Sequence, residues 1–134
     1  PNSTRPWQHV LEAVYGYLIF AINLKKNKKL HGESFNFGPN SLVEKKVVTV
    51  IKQMKKHWAD INFSIEKKAG NFENKLLKLN SNKSKKILKW KCILNFEETV
   101  KLTTLWYKNY YKNKTDNLQF SIKQIFDYEK KLLN

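Results

Sequence analysis

The sequence predicts a mixed α/β chain with more helix than strand that does not close on itself. Three observations predict it. Long segments carry apolar residues at helical spacing, and the later ones open on capping signals. Short segments alternate apolar and polar residues as strands do: Phe35 and Phe37; Ile61, Phe63 and Ile65; Leu77 and Leu79. No two-helix or three-strand unit among them is self-contained, which is the form of a lobe completing another domain.

The elements follow in order. Pro6 holds Arg5 extended. A helix then spans about His9 to Leu24, with Leu11, Tyr15, Leu18 and Ile22 on one face, and Lys25 to Lys29 complement its C-terminal dipole. Gly38-Pro39 ends the short strand of Phe35 and Phe37. A second helix covers about Val43 to Trp58, with Val47, Ile51, Met54 and Trp58 on one face. After the second and third alternating segments, Asn80 or Ser81 caps a short helix ending near Leu88. Asn95 with Glu98 forms a capping box for a helix reaching about Tyr111. Ser121 with Gln124 reads as a second box, opening a last helix to Leu132.

Composition narrows the function. The 134 residues can bury one modest core, and 41% hydrophobic content excludes a disordered chain. The apolar run from Ala13 to Ile22 is too short to span a bilayer, and no signal-peptide pattern is present. A single cysteine, Cys92, excludes an internal disulfide framework, suits a cytoplasmic setting and reads as a buried inert thiol. His9, His31 and His57 are too scattered to suggest a metal site.

The formal charge of +15 invites a nucleic-acid reading. Against it, 25 of the 26 basic residues are lysines spread over every segment and accompanied by 15 Asn, as an AT-rich genome writes solvated surface. Specific readers of bases favour the bidentate fork of arginine. Attraction to polyanions is therefore expected to be non-specific and salt-sensitive. The aromatic and basic stretch from Trp106 to Lys114 could stack single-stranded nucleic acid, but Tyr107 and Tyr111 at helical spacing read as core or rim packing.

Dinucleotide chemistry leaves no trace here. Gly16, Gly32, Gly38 and Gly70 are scattered and form no strand-turn-helix fingerprint. Tyr110 and Lys114 have the spacing of a Tyr-x-x-x-Lys pair but lie in a polar helix end.

The motifs themselves carry a resemblance. Arg5-Pro6-Trp7-Gln8-His9-Val10-Leu11-Glu12 is followed by Gly16-Tyr17-Leu18 and by Phe35-Asn36-Phe37-Gly38-Pro39. Leu77-Lys78-Leu79-Asn80, Lys83, Leu88 and Trp90 come next, then Phe96-Glu97-Glu98-Thr99 with Trp106-Tyr107, then Gln124-Ile125 with Tyr128-Glu129. In order and spacing this resembles the C-terminal part of the nucleotide-sugar dehydratases, most closely the CDP-glucose 4,6-dehydratase family within the extended short-chain dehydrogenases/reductases. The resemblance implies that residues 1–134 are one C-terminal substrate-binding lobe of a Rossmann-type fold, continuing from a nucleotide-binding part that is not in this sequence.

That resemblance assigns roles. Arg5, the chain's one arginine, corresponds to the residue that grips the diphosphate of the sugar nucleotide, a task suited to a planar guanidinium. Asn36 falls where relatives place an Asn near the nucleotide, Glu73 where a carboxylate faces the ribose, and Trp7 walls the pocket or fills the core. His9 belongs to the motif, with no nucleophile or carboxylate marked out beside it as for catalysis. The chain departs from the family at Phe72-Glu73-Asn74, where His-Glu-Ala is usual, and at Asn80 and Asn82, where Asp and Ser are usual.

The implied reaction removes hydride from C4 of the glucosyl unit to a bound NAD, loses water across C5 and C6, and returns hydride to C6. This lobe would bind CDP-glucose, while NAD and all catalytic residues would sit in the absent part, so the chain alone is expected to be inactive. The whole enzyme is expected to be a cytoplasmic homo-oligomer without membrane or specific nucleic-acid partners. The alternatives are another NAD-dependent sugar-nucleotide epimerase or dehydratase and, from a different class, a small basic nucleic-acid-binding protein.

Overall fold

The computed structural model describes residues 3–39, 45–65, 79–113 and 116–133. Among them the order is β1 (Thr4–Arg5), α1 (Val10–Lys26), a 3-10 turn (Lys28–Leu30), β2 (Lys45–Lys46), α2 (Val47–His57), α3 (Asn82–Leu88), α4 (Phe96–Lys108), a π-helical turn (Asn109–Asn113) and α5 (Asn117–Leu133). These residues are thus mixed, helical with one antiparallel two-strand ribbon among them, in which Thr4 faces Lys46 and Arg5 faces Lys45. Helix α4 lies against α2 and α5, while α1 meets α3.

Helix α1 begins at its cap. His9 is extended (φ −75°, ψ 146°), and Leu11 N donates to its Nδ1 at 3.3 Å. Lys25 and Lys26 occupy the last turn, where cations suit the dipole. The inward face differs from the expected one. Glu12 and Gly16 are buried, and Tyr15, Ile19, Phe20 and Leu24 pack on the core, whereas Leu18 and Ile22 are more than half exposed. This helix is apolar nearly all round, so periodicity alone does not select its buried side. Gly16 selects it. A Cβ there would lie 2.5 Å from the Phe37 ring, so the missing side chain lets the Phe35–Phe37 segment press onto the helix.

That segment explains one correction. Phe35 and Phe37 form no strand; they are two aromatic anchors of a loop. Phe37 meets Trp90 edge-on at 5.3 Å between centroids and Tyr17 at 5.7 Å, and Phe20 packs on Phe35 at 4.8 Å. Alternation marks residues that point the same way, and a loop with two anchors produces it without a ladder. Ile61, Phe63 and Ile65 form no strand either, and Phe63 and Ile65 are exposed. Of the third alternating pair, Leu79 is exposed and outside any strand, and Leu77 lies outside the described residues.

The core gathers Leu30, Phe37, Leu88, Trp90 and Cys92. Trp90 is fully buried, and its Nε1 donates to Glu12 O at 3.2 Å. Cys92 is buried, the inert position expected of it. Beside this core stands Glu12, fully buried. Ile93 N and Leu94 N donate to its Oε1 at 2.9 and 2.7 Å, and Tyr128 Oη donates to its Oε2 at 3.0 Å. One side chain of α1 thereby ties down the segment before α4 and the far half of α5. Burial, and then the neighbouring Glu12 carboxylate, push the Tyr128 hydroxyl's pKa above its usual value.

The remaining helices follow their caps. Of the two residues the sequence offers as the cap of α3, Ser81 holds the cap position without a side-chain cap bond, while Asn80 Oδ1 accepts from Asn82 N at 2.9 Å. Lys89 ends that helix at φ 58°, a left-handed conformation that costs a non-glycine residue roughly 1 kcal/mol. Asn95 and Glu98 make the expected reciprocal capping box on α4, each bond 2.9 Å. A Lys131 ion pair, followed by the Asn95 N–H, holds the Glu98 carboxyl below its ordinary range. On α2 the expected face holds: Val47, Ile51, Met54 and Trp58 are half-buried, joined by buried Val50.

Helix α5 is the second correction. It starts at Asn117, before the expected box, and Asp116 Oδ1 caps it by accepting from Leu118 N at 2.9 Å and Gln119 N at 3.3 Å. Ser121 and Gln124 are interior residues facing α4. Trp106 Nε1 donates to Ser121 Oγ, and Gln124 Nε2 donates to Leu102 O, both at 2.9 Å. Polar residues one helical turn apart satisfy a capping pattern and an interhelical contact equally well.

Candidate functional site

The ribbon β1–β2 places the residue with the strongest functional claim. Arg5 sits on β1, partly buried, and its Nη1 donates to Thr4 O at 2.8 Å. Trp7 N donates to Arg5 O at 3.0 Å, so Pro6 is the middle of a γ-type turn, which its fixed φ favours. The turn folds Trp7 back toward the ribbon, where its Nε1 donates to Lys45 O at 2.9 Å. Val47 N closes the far side by donating to Ser3 O at 3.2 Å. Trp7 is therefore a half-buried brace that fixes the ribbon.

The partner of Arg5 went unmarked in the sequence. Lys45 is its cross-strand neighbour, so both side chains leave the same face of the ribbon. The Lys45 Nζ lies 5.6 Å from the centre of the Phe96 ring. Only the pairing reveals this couple, because 40 positions separate the two residues in sequence, from 5 to 45.

Asn36 is exposed on the loop that packs Phe35 and Phe37, and its carbonyl accepts from Ser84 Oγ of α3. A single element therefore brings Arg5 and Trp7 together, whereas Asn36 is held by α3 through its backbone. Glu73 lies outside the described residues.

His9 adds a titrating cap. Burial lowers its pKa below the ordinary 6.5. Between the folded value and 6.5 the unfolded chain binds more protons, so stability is fully present above 6.5 and is lost as pH falls through the folded value. Protonation also puts a hydrogen on Nδ1, the atom that accepts from Leu11 N. His9→Asn keeps a cap without titrating, so its denaturation midpoint should fall less than the parent's between about pH 7 and about pH 5. Parallel acid curves would refute this role for His9.

Gly16 is inside a helix against Phe37, Gly32 has φ +82° in open space, Gly38 is close to Leu79, and Gly70 lies outside the described residues. Among the described residues, no three His, Cys, Asp or Glu gather to hold a metal, and no helix is long and apolar enough to cross a membrane. Tyr110 stands exposed on the π-helical turn with its ring stacked on Trp106 at 5.6 Å, and Lys114 lies outside the described residues. Tyr107 and Tyr111 stack on each other at 6.3 Å, so rings of the aromatic stretch engage one another.

No family model matches the chain. It is 32% identical over 129 residues to a CDP-glucose 4,6-dehydratase of Salmonella typhimurium, a match taking in 96% of this chain and 36% of that protein. The match falls in that protein's C-terminal part. The chain thus spans about a third of the length of this curated relative, and it is a distant homologue of a sugar-nucleotide dehydratase.

Proposed function

We propose that the chain is the sugar-nucleotide-binding lobe of an NAD-dependent nucleotide-sugar 4,6-dehydratase acting on CDP-glucose, with Arg5 gripping the diphosphate. The observation that carries this reading is the cross-strand pair of Arg5 and Lys45 within a chain that is homologous to a CDP-glucose 4,6-dehydratase along nearly its whole length. A diphosphate offers planar pairs of oxygens to the guanidinium and a second charge to the ammonium. Asn36 and Glu73 are assigned to the nucleotide through their places in the motif, and Trp7 is assigned to holding Arg5 in position.

In this reading NAD accepts and returns the hydride, and a portion of a longer protein outside this sequence binds it. The residues here contribute positioning, which lowers the barrier by removing orientational freedom before reaction. The open side of α1 supports such a longer protein. Val10, Val14, Tyr17, Leu18 and Ile22 are all exposed along one strip of a helix with few polar residues, the composition of a helix covered on both sides.

The test is Arg5→Ala in the complete enzyme. CDP-glucose affinity should fall about ten- to a hundredfold, since a charge-assisted hydrogen bond contributes roughly 1.5–3 kcal/mol. NAD content should not change. Arg5→Lys should recover only part of the affinity, because an ammonium lacks the bidentate geometry. Unchanged CDP-glucose affinity by calorimetry in a well-folded Arg5→Ala enzyme would show that the assignment is wrong.

A further inference from the structure

Helix α5 turns its polar side inward. Ser121 Oγ accepts from Trp106 Nε1, Gln124 Nε2 donates to Leu102 O, and Tyr128 Oη donates to the Glu12 carboxylate. The aliphatic and aromatic residues of the same helix lie outward. Leu118 is 65% exposed, Phe126 57% and Ile125 42%, with Ile122 partly buried between them. The bonds that hold α5 in place make no use of these residues, and a contiguous apolar strip left in the open marks a contact surface.

The spacing of the strip says what kind of surface it fits. Leu118, Ile122, Ile125, Glu129 and Leu132 recur at steps of four, three, four and three residues. That is the seam of a helix lying along a second helix, narrower than the stripe with which a helix faces a globular core. The apolar surface continues past the seam. Ile125 also lines a cavity of about 400 Å³ between the starts of α1 and the ends of α4 and α5, where no Lys, Arg, Asp or Glu is present and Val10 and Tyr107 are exposed.

Charge selects the occupant. The chain carries +15, so two copies repel each other over most of their surface. Helices α2 and α3 each carry three lysines and no acid. Helix α5 sets Asp127 and Glu129 against Lys123, Lys130 and Lys131, and Lys131 is paired with Glu98. A partner chosen for negative charge would meet α2 and α3, whereas a second copy of this basic chain can approach along α5. Glu129 also sets the direction. Parallel helices in register would place one Glu129 against the other, and antiparallel helices keep the two apart.

We propose that α5 is a self-association surface, on which the α5 of a second copy lies antiparallel about a two-fold axis passing near Ile125. Such a contact is self-complementary and closes at two copies. All of it lies within this chain, so it stands whether or not the sugar-nucleotide reading holds.

Sedimentation equilibrium of this chain tests it and should show a monomer–dimer equilibrium. Leu118→Lys and Phe126→Lys should each weaken dimerisation about tenfold or more, because each sets an ammonium in place of an apolar side chain on both copies. Leu18→Lys, on the exposed strip of α1, should leave it unchanged. All three positions are more than half exposed, so the thermal midpoints of the diluted variants should stay near the parent's. Ile125→Cys should oxidise to a disulfide-linked dimer, since a residue at a two-fold axis meets its own copy and Cys92 is buried. A chain that stays monomeric up to millimolar concentration would overturn the proposal. So would open-ended aggregation, α5 variants that associate like the parent, a Leu18→Lys chain weakened as much as they are, or no linked dimer from Ile125→Cys.

Discussion

Glu12→Ala should destabilise the chain by about 3–5 kcal/mol, the cost of breaking a buried polar network from one side. The carboxylate accepts from Ile93 N, Leu94 N and Tyr128 Oη. Removing it strands three donors out of reach of water and opens a void beside Trp90. Glu12→Gln keeps the volume and one carbonyl oxygen. That oxygen can still accept from both backbone N–H groups, while the amide nitrogen turns toward the Tyr128 hydroxyl, which can accept from it. Its loss should therefore be smaller, about 1–2 kcal/mol. Tyr128→Phe removes a single donor and should also cost about 1–2 kcal/mol. Urea denaturation of the three variants measures this order. A Glu12→Ala chain within 1 kcal/mol of the parent would show that Glu12 is not the hub joining α1 to α5, on the roughly 1–3 kcal/mol expected per stranded group.

Trp90→Ala should cost a similar 3–5 kcal/mol for a different reason. Its ring is fully buried and closes the core between Phe37, Leu88 and Cys92, so truncation leaves a cavity that the rigid neighbours cannot collapse into. Trp90→Phe separates packing from hydrogen bonding. It retains an aromatic edge for Phe37 and loses the Nε1 bond to Glu12 O, so a loss of about 1–2 kcal/mol is expected. Because Gly16 and Trp90 meet the same Phe37 ring, Trp90→Ala should also loosen the Phe35–Phe37 loop. Hydrogen exchange at Phe37 checks this. Protection there unchanged in Trp90→Ala would show that the loop is held by α1 and α3 alone.

The site was legible in part. Arg5 stands out as the one arginine of a lysine-rich chain, and Pro6 beside it marks Arg5 as extended. Lys45 does not stand out, because it is one lysine among 25 until the ribbon sets it opposite Arg5. Glu12 carries a signal that could have been read: a lone carboxylate between Leu11 and Tyr15 on an otherwise apolar helix. First-turn acids usually answer the helix dipole, and that ordinary reading hides the buried role.

Local chemistry settled by the sequence includes the existence of the five helices among the described residues, the reciprocal cap of Asn95 and Glu98, the half-buried face of α2 and the burial of Cys92. Each depends on residues within a turn or two of one another, where spacing translates directly into geometry. Tertiary structure decided which side of α1 is buried, that alternating phenylalanines anchor a loop and form no strand, and that Ser121 and Gln124 face α4 inside a helix. It also decided that Arg5 has Lys45 opposite it. These depend on partners tens of residues away, and a pattern that two geometries satisfy equally is resolved only by what packs against it.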